Sequence, residues 1–358
     1  MKVLLSDKVK VTPVTLFAEV GLLERHPELA RLCRRALAQE DRRLTEALCQ
    51  QALPGVTAAG ARSLVRGCAD LDLCDREGTL RAAGERAAQD ELVAVPEQGA
   101  YRLWLAEHPL FGLRVLHLER AAVDGKDTGF QSLEELPRIP PQNQVFTSMV
   151  DGSLRFVLRS KPEQCRVEED EVIDLHWDLD FTTGHSHFTL TGTLRDDQEG
   201  ELKLAAVPEN VEVDHRALLR RWTQGAWDET AQRLRVPFEN VPETALETFQ
   251  MDWPLGEVEV PRRGRYQNAI LREVPLAPAS DDAALAWALW RFHRRRAAQR
   301  GYLARPALEA IFKDAIRGTP LEPHRLVLPP VDWLLKDREQ ARDRWGYWQV
   351  AAGEDLSL

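Results

Sequence analysis

The chain has 358 residues, 44% of them hydrophobic and 29% charged, with a formal net charge of −10. That is the make-up of an ordinary globular protein with material for two or three domains. No run of about 18 apolar residues occurs, so no membrane-spanning helix is expected.

The opening MKVLLSDKVKV has too short an apolar stretch for a signal peptide. Cys33, Cys49, Cys68, Cys74 and Cys165 form no CxxC pair and are odd in number. Buried thiols in a reducing cytoplasm are expected, with neither a disulfide framework nor a zinc site. The charge is uneven. Residues 1–120 hold 17 basic and 17 acidic groups, 121–260 hold 13 and 28, and 261–358 hold 17 and 12. An acidic middle disfavours a phosphate backbone over much of its surface and suits a cation or a basic partner.

In chain order, residues 1–53 read as helices. Pro27 suits the first turn of a helix to about Gln39, and Asp41 a cap for a second through Leu44, Leu48 and Ala52. Thr57 caps a third, Ala58 to about Leu71, with Ala61, Leu64, Val65 and Cys68 at helical spacing. A helix from about Ala83 follows, then two strands, Glu91–Pro96 and Ala100–Ala106, joined at Glu97–Gly99.

Three helices followed by a hairpin resemble a winged-helix domain. The phrase Leu80-Arg-Ala-Ala-Gly84 is similar to the L-T-x-x-G step of many bacterial winged-helix proteins, with Arg81 in place of Thr. The resemblance covers about residues 1–106. It implies that Ala58–Leu71 is the recognition helix and 91–106 the wing. Arg62 and Arg66, four apart on one helix face, are then the candidates for phosphates or guanine edges. Pairing with Asp70 or Asp72 is the structural alternative.

Residues 121–143, rich in Gly, Pro and acids, read as a linker between a 1–120 domain and a 144–275 domain. The latter reads as an antiparallel β-rich unit in an α+β protein. Its clearest element is the hairpin Val172–Leu194. Ile173, Leu175, Trp177, Leu179 and Phe181 share one parity; Asp174, His176, Asp178 and Asp180 share the other. Matching apolar to apolar pairs Asp180 with His187 across a turn near Gly184. Helical pieces at 214–222, 227–235 and 242–250 precede strands at 256–260 and 265–274. A helical region, 276–358, closes the chain, with one helix capped by Ser280 and another over 306–316.

Three chemistries follow. Asp178, Asp180 and His187 are candidate ligands for a divalent metal such as Mg²⁺. Asp180, Glu201 and Lys203 resemble the PD-(D/E)xK nuclease pattern, which implies that the two acids hold the metal and the lysine positions water. Arg291, Arg294 and Arg295 offer a basic face for DNA, or one that docks on the acidic middle. No P-loop, GxGxxG, GxSxG or HExxH is present. The leading expectation is a non-catalytic, cytoplasmic, bacterial regulator or accessory subunit, of a kind found in phage defence. It would contact DNA or a protein partner through the winged helix. A metal-dependent nuclease or hydrolase, and a ligand-sensing regulator, are the alternatives.

Overall fold

A strand of 24 residues, β1 (Lys2–Arg25), is the backbone of the fold. The computed structural model describes residues 1–122, 130–132, 140–142, 144–162, 164–196 and 200–355. Most of the expected linker, 121–143, lies outside the described residues. Four helices follow β1: α1 (Pro27–Leu37), α2 (Glu46–Ala52), α3 (Ala58–Asp70) and α4 (Ala82–Asp90). The chain returns in β2 (Leu92–His108) and turns back in β3 (Gly112–Arg120). Short strands β4 (Gln131–Ser132), β5 (Val145–Thr147), β6 (Arg155–Leu158) and β7 (Gln164–Val167) lead to the hairpin β8 (Glu171–Asp180) and β9 (His185–Thr191).

Then come β10 (Thr193–Arg195), β11 (Glu201–Lys203), β12 (Glu209–Asn210), α5 (His215–Trp222), β13 (Trp227–Asp228) and β14 (Arg233–Val236). A short α6 (Glu243–Thr248) precedes the long hairpin β15 (Gln250–Val260) and β16 (Gly264–Pro278). Helices α7 (Asp281–Ala297), α8 (Arg305–Ile316), α9 (Val331–Gln340) and α10 (Arg344–Asp355) end the described chain. The protein is thus α+β, with one large sheet and a helical C-terminal region. No described helix is long and apolar enough to cross a membrane.

The N-terminal 25 residues are therefore a strand, where helix was expected. Val3, Leu5, Val9 and Val11 are buried, while Lys2, Leu4, Lys8 and Lys10 are exposed, the period of two that a half-buried strand requires. Residues 2–11 pair with β8; 11–25 pair with β2; 14–16 and 20–22 pair with β7 and β6 on the other edge. Pro13, which has no N–H to give, stands between the last β8 pair and the first β7 pair, a break in the ladder where proline is tolerated.

The two strands expected over 91–106 are one. β2 runs through Glu97-Gln98-Gly99 without reversing, because β1 supplies a continuous partner from Arg25 opposite Leu92 to Val11 opposite Ala106. The segment expected to form a wing is consequently a strand of the sheet, paired with β1 throughout and flanked by β3 as well from Tyr101 onward. Residues 227–235, expected as helix, form the ribbon β13–β14, Trp227 opposite Leu234.

Hydrophobic cores do not follow the expected boundaries at 120 and 276. The main core draws on Val3, Trp104, Trp177, Leu234, Trp287 and Val350, since β1 stitches the N-terminus to β8 and β16. A separate core belongs to residues 26–93, built from Leu32, Cys33, Leu48, Cys49, Ala61 and Cys68 among others. The four helices are therefore a module inserted at the far end of the β1–β2 ribbon.

Candidate functional site

The helical module is assembled by local chemistry that the sequence announces. Thr57 Oγ1 accepts from Gly60 N at 3.2 Å and caps α3. Thr45, rather than Asp41, caps α2 by accepting from Leu48 N. Gly84, the glycine of the L-x-x-x-G phrase, sits where a Cβ would lie 2.2 Å from the Leu73 carbonyl oxygen. Only glycine lets α4 approach the chain after α3 so closely.

This packing buries Ala61 and Cys68 of α3 and turns Ala59, Arg62, Ser63 and Arg66 outward. Arg62 Nε donates to the Ala58 carbonyl at 3.4 Å and lies 3.7 Å from Glu46. Asp72, a possible partner for it by sequence, pairs with Arg81 instead. Arg66 is exposed and has no ion pair among the described residues.

The hairpin keeps its expected faces but not its register. Trp177 stands opposite Phe188, Asp178 opposite His187 and Asp180 opposite His185, a shift of two residues that preserves parity. The cause is the turn. Asp180 Oδ1 accepts from Thr182 N at 2.9 Å and Thr183 N at 3.3 Å, and Gly184 adopts φ 73°. An aspartate that caps its own turn fixes where the strand ends. Burial raises the Asp180 pKa, but the two turn N–H groups and Lys2 outweigh it and hold the carboxyl below its usual value.

The candidate metal set is only partly brought together. His187 Nε2 is 3.5 Å from Asp178, while Asp180 is engaged in the turn. Repulsion along the acidic strand is relieved by β1: Lys8 reaches Asp174 at 2.5 Å, and Lys2 reaches Asp180 at 3.8 Å. The acidic face is thus partnered by β1 lysines, not by the arginine-rich helix. Among the described residues no group of three or more His, Cys, Asp or Glu side chains is arranged to hold a metal ion.

Glu201 and Lys203 lie on β11, which pairs with β10 beyond the opposite end of the hairpin. Asp174 already pairs with Thr191 there, and six residues of strand, roughly 20 Å, separate it from Asp180. The nuclease-like trio therefore shares no site.

The arginines of α7 serve the fold. Arg291 is 4% exposed. Its guanidinium donates to the carbonyls of Ala315, Leu246 and Glu247 at 2.9 to 3.1 Å and lies over the Phe249 ring. One turn after the buried Trp287, it faces inward, which removes it from the DNA-binding candidates. Arg294 pairs with Glu243 at 3.3 Å, and Arg295 with Asp314 at 2.5 Å. The basic helix docks on the acidic middle of the chain, at α6.

Two buried polar clusters had no sequence signature. In the first, His117 Nδ1 meets Ser148 Oγ at 2.7 Å, while Ser148 Oγ accepts from Val150 N and Asp151 N. With its lone pairs so used, the hydroxyl donates to the imidazole. Ser148 is 2% exposed, so this dyad staples a turn to β3 and offers no accessible nucleophile.

In the second, Arg296 Nη2 donates to Asp343 at 2.7 Å and Nη1 to Gln349 at 3.2 Å. Arg338 bonds Asp343 and Asp337, and His293 Nε2 lies 3.1 Å from Asp337. These partners are scattered over α7, α9 and α10, and only folding juxtaposes them. Burial, with Arg338 and Arg296 close by, pushes the His293 pKa down to about 4 against the pull of Asp337. Burial likewise lowers His117, opposed by Asp151.

Both imidazoles bind a proton more readily in the unfolded chain, where their pKa is about 6.5. The stability His293 contributes is therefore full above that pH and is lost as pH falls toward 4, by up to about 1.4 kcal/mol per pH unit, and His117 shifts stability in the same direction. Thermal unfolding followed by circular dichroism should show a Tm that declines from pH 7 to pH 5. His293→Phe should make that decline shallower; an unchanged slope would remove His293 as a cause.

A cleft of about 560 Å³ lies between the hairpin turn and α5, lined by Phe181, His215, Arg216, Trp227 and Glu229 among others. The chain matches no protein-family model, no curated protein and no solved structure.

Proposed function

We propose that this chain is a non-catalytic, DNA-associated accessory protein whose recognition element is the helical module, with α3 against duplex DNA. One observation carries the reading. α3 presents Arg62 and Arg66 outward on one face, flanked by the small side chains of Ala59 and Ser63, with Glu46 beside Arg62 and Asp70 one turn beyond Arg66. Small neighbours let a helix enter a groove, and arginines four apart meet successive phosphates or a guanine edge. The module has its own core, so it can be carried to a partner at the end of the ribbon without disturbing the sheet. The capped α3 and the close α4 packing at Gly84 support the winged-helix likeness of the helices, although the 91–106 strand supplies no wing.

The expected result is duplex binding that weakens as salt rises. Arg62→Ala with Arg66→Ala should lower affinity about tenfold or more and reduce the salt slope by about one to two. Fluorescence anisotropy with a labelled duplex measures both. Affinity unchanged by the double substitution would sink the assignment of α3.

A protein partner is the second reading. It is favoured by the near-neutrality of residues 26–91, which hold 10 basic and 11 acidic side chains. In that case the same double substitution should abolish partner capture while duplex binding is absent at low salt.

A further inference from the structure

We infer that the surface made by the start of α10 and the loop between α7 and α8 binds single-stranded nucleic acid, bases on its exposed aromatics and phosphates on its unpaired arginines. Tyr302, Trp345 and Trp348 are 55%, 49% and 56% exposed, a large aromatic area to leave in water. The loop and the helix form one surface. Leu303 N donates to the Gln349 carbonyl at 3.1 Å, and Gln349 Nε2 donates to the Gln299 carbonyl at 3.1 Å. Trp345 lies one turn before Gln349 on the same side of α10.

Beside it, a cleft of about 520 Å³ is lined by Arg338, Glu339, Arg342, Asp343, Arg344, Tyr347 and Trp348. The rings of Tyr347 and Trp348 meet edge to face, their centroids 5.9 Å apart.

Charge selects the occupant. Asp343 is already neutralised by Arg296 and Arg338. Arg300, Arg342 and Arg344 are exposed and have no ion pair among the described residues. In the cleft, Arg342 and Arg344 face Glu339 besides the already neutralised Asp343, so the surface is locally cationic within an acidic protein. Its chemistry is flat rings alternating with guanidinium groups, and the cleft lining contains no Leu, Ile, Val or Met. A partner helix would need aliphatic holes to fill. Nucleobases need ring faces and phosphates need cations. The bases of a duplex are stacked on one another and cannot use the rings, which selects a single strand.

The test uses the full chain and a fluorescein-labelled oligo-dT of about 15 nucleotides, read by anisotropy at low and moderate salt. Binding should be salt-dependent. Trp348→Ala should weaken it about tenfold or more, within the range of one lost stacking contact. Arg342→Glu with Arg344→Glu should weaken it and flatten its salt dependence. Arg62→Ala with Arg66→Ala should leave it unchanged, which separates this surface from the α3 reading.

If Trp348→Ala unfolds the chain, the arginine pair alone decides the outcome. Three results would overturn the inference: no binding at low salt, equal affinity of the Arg62→Ala, Arg66→Ala variant for a duplex of the same length, or equal displacement by a polyglutamate peptide, which would mark an acidic-peptide surface instead.

Discussion

Arg296→Ala should destabilise the protein by about 3–5 kcal/mol, the effect of removing one partner of a buried ion pair. The guanidinium is 1% exposed and is the hub between α7 and α10. Without it, Asp343 keeps Arg338 at 3.3 Å as its one ion-pair partner, beside the Gly346 N–H at 2.8 Å, and Gln349 loses its donor. Arg296→Lys should recover little, since an ammonium cannot reach Asp343 and Gln349 together as a planar fork does.

The same contact constrains its neighbour. A Cβ on Gly346 would lie 2.2 Å from Arg296 Nη2 and 2.1 Å from Asp343 Oδ2, so Gly346→Ala should reproduce a large part of the loss. Urea unfolding followed by circular dichroism measures both variants. A change below about 1 kcal/mol for Arg296→Ala would show that α10 does not depend on this cluster.

The second large effect is expected at Trp177. Its indole is fully buried, its Nε1 donates to Ser186 Oγ at 2.8 Å, and its ring meets Tyr266 edge to face at 5.6 Å. Trp177→Ala removes a large buried ring from a sheet held on both edges by β1 and β9. About 3–5 kcal/mol of stability should be lost, the usual range for emptying an aromatic core site. Trp177→Phe keeps most of the packing and gives up the hydrogen bond, leaving Ser186 without its donor. About 1–3 kcal/mol should go. If the two variants unfold at the same urea concentration, the ring volume is not what holds the hairpin to the core.

Alternation alone located this hairpin and told its buried face from its polar face, because a period of two is a property of the strand itself. Its register depended on something alternation does not contain: the side chain of Asp180 closing the turn. The same period marks Val3, Leu5, Val9 and Val11 in β1, and there it was legible but outweighed by helical spacing downstream. From Pro13 to Leu16 four successive residues of β1 are buried and the period fades, as in a stretch buried on two sides.

Helix α7 shows the other limit. Ser280 at its cap was readable, and Ser280 Oγ does accept from Ala283 N. Which of its arginines faces solvent was not, since that depends on where α6 and α8 lie. Of the candidate site residues, Arg62 and Arg66 share an exposed face as helical spacing alone requires. The hairpin acids were identified correctly as a face, yet their partners came from β1, whose strand character had been missed.

The length of β1 has a mechanical consequence. A force drawing the helical module away along the strand direction would meet the ladders of β1 with β6, β7 and β8, and of β2 with β3, in shear. Their hydrogen bonds would be loaded together rather than parted one at a time, as they are when a strand is peeled from its end. The module should therefore unravel its own helices under tension long before its anchor slips. Load on the module is thus passed to the body of the protein through an anchor that outlasts the helices it holds.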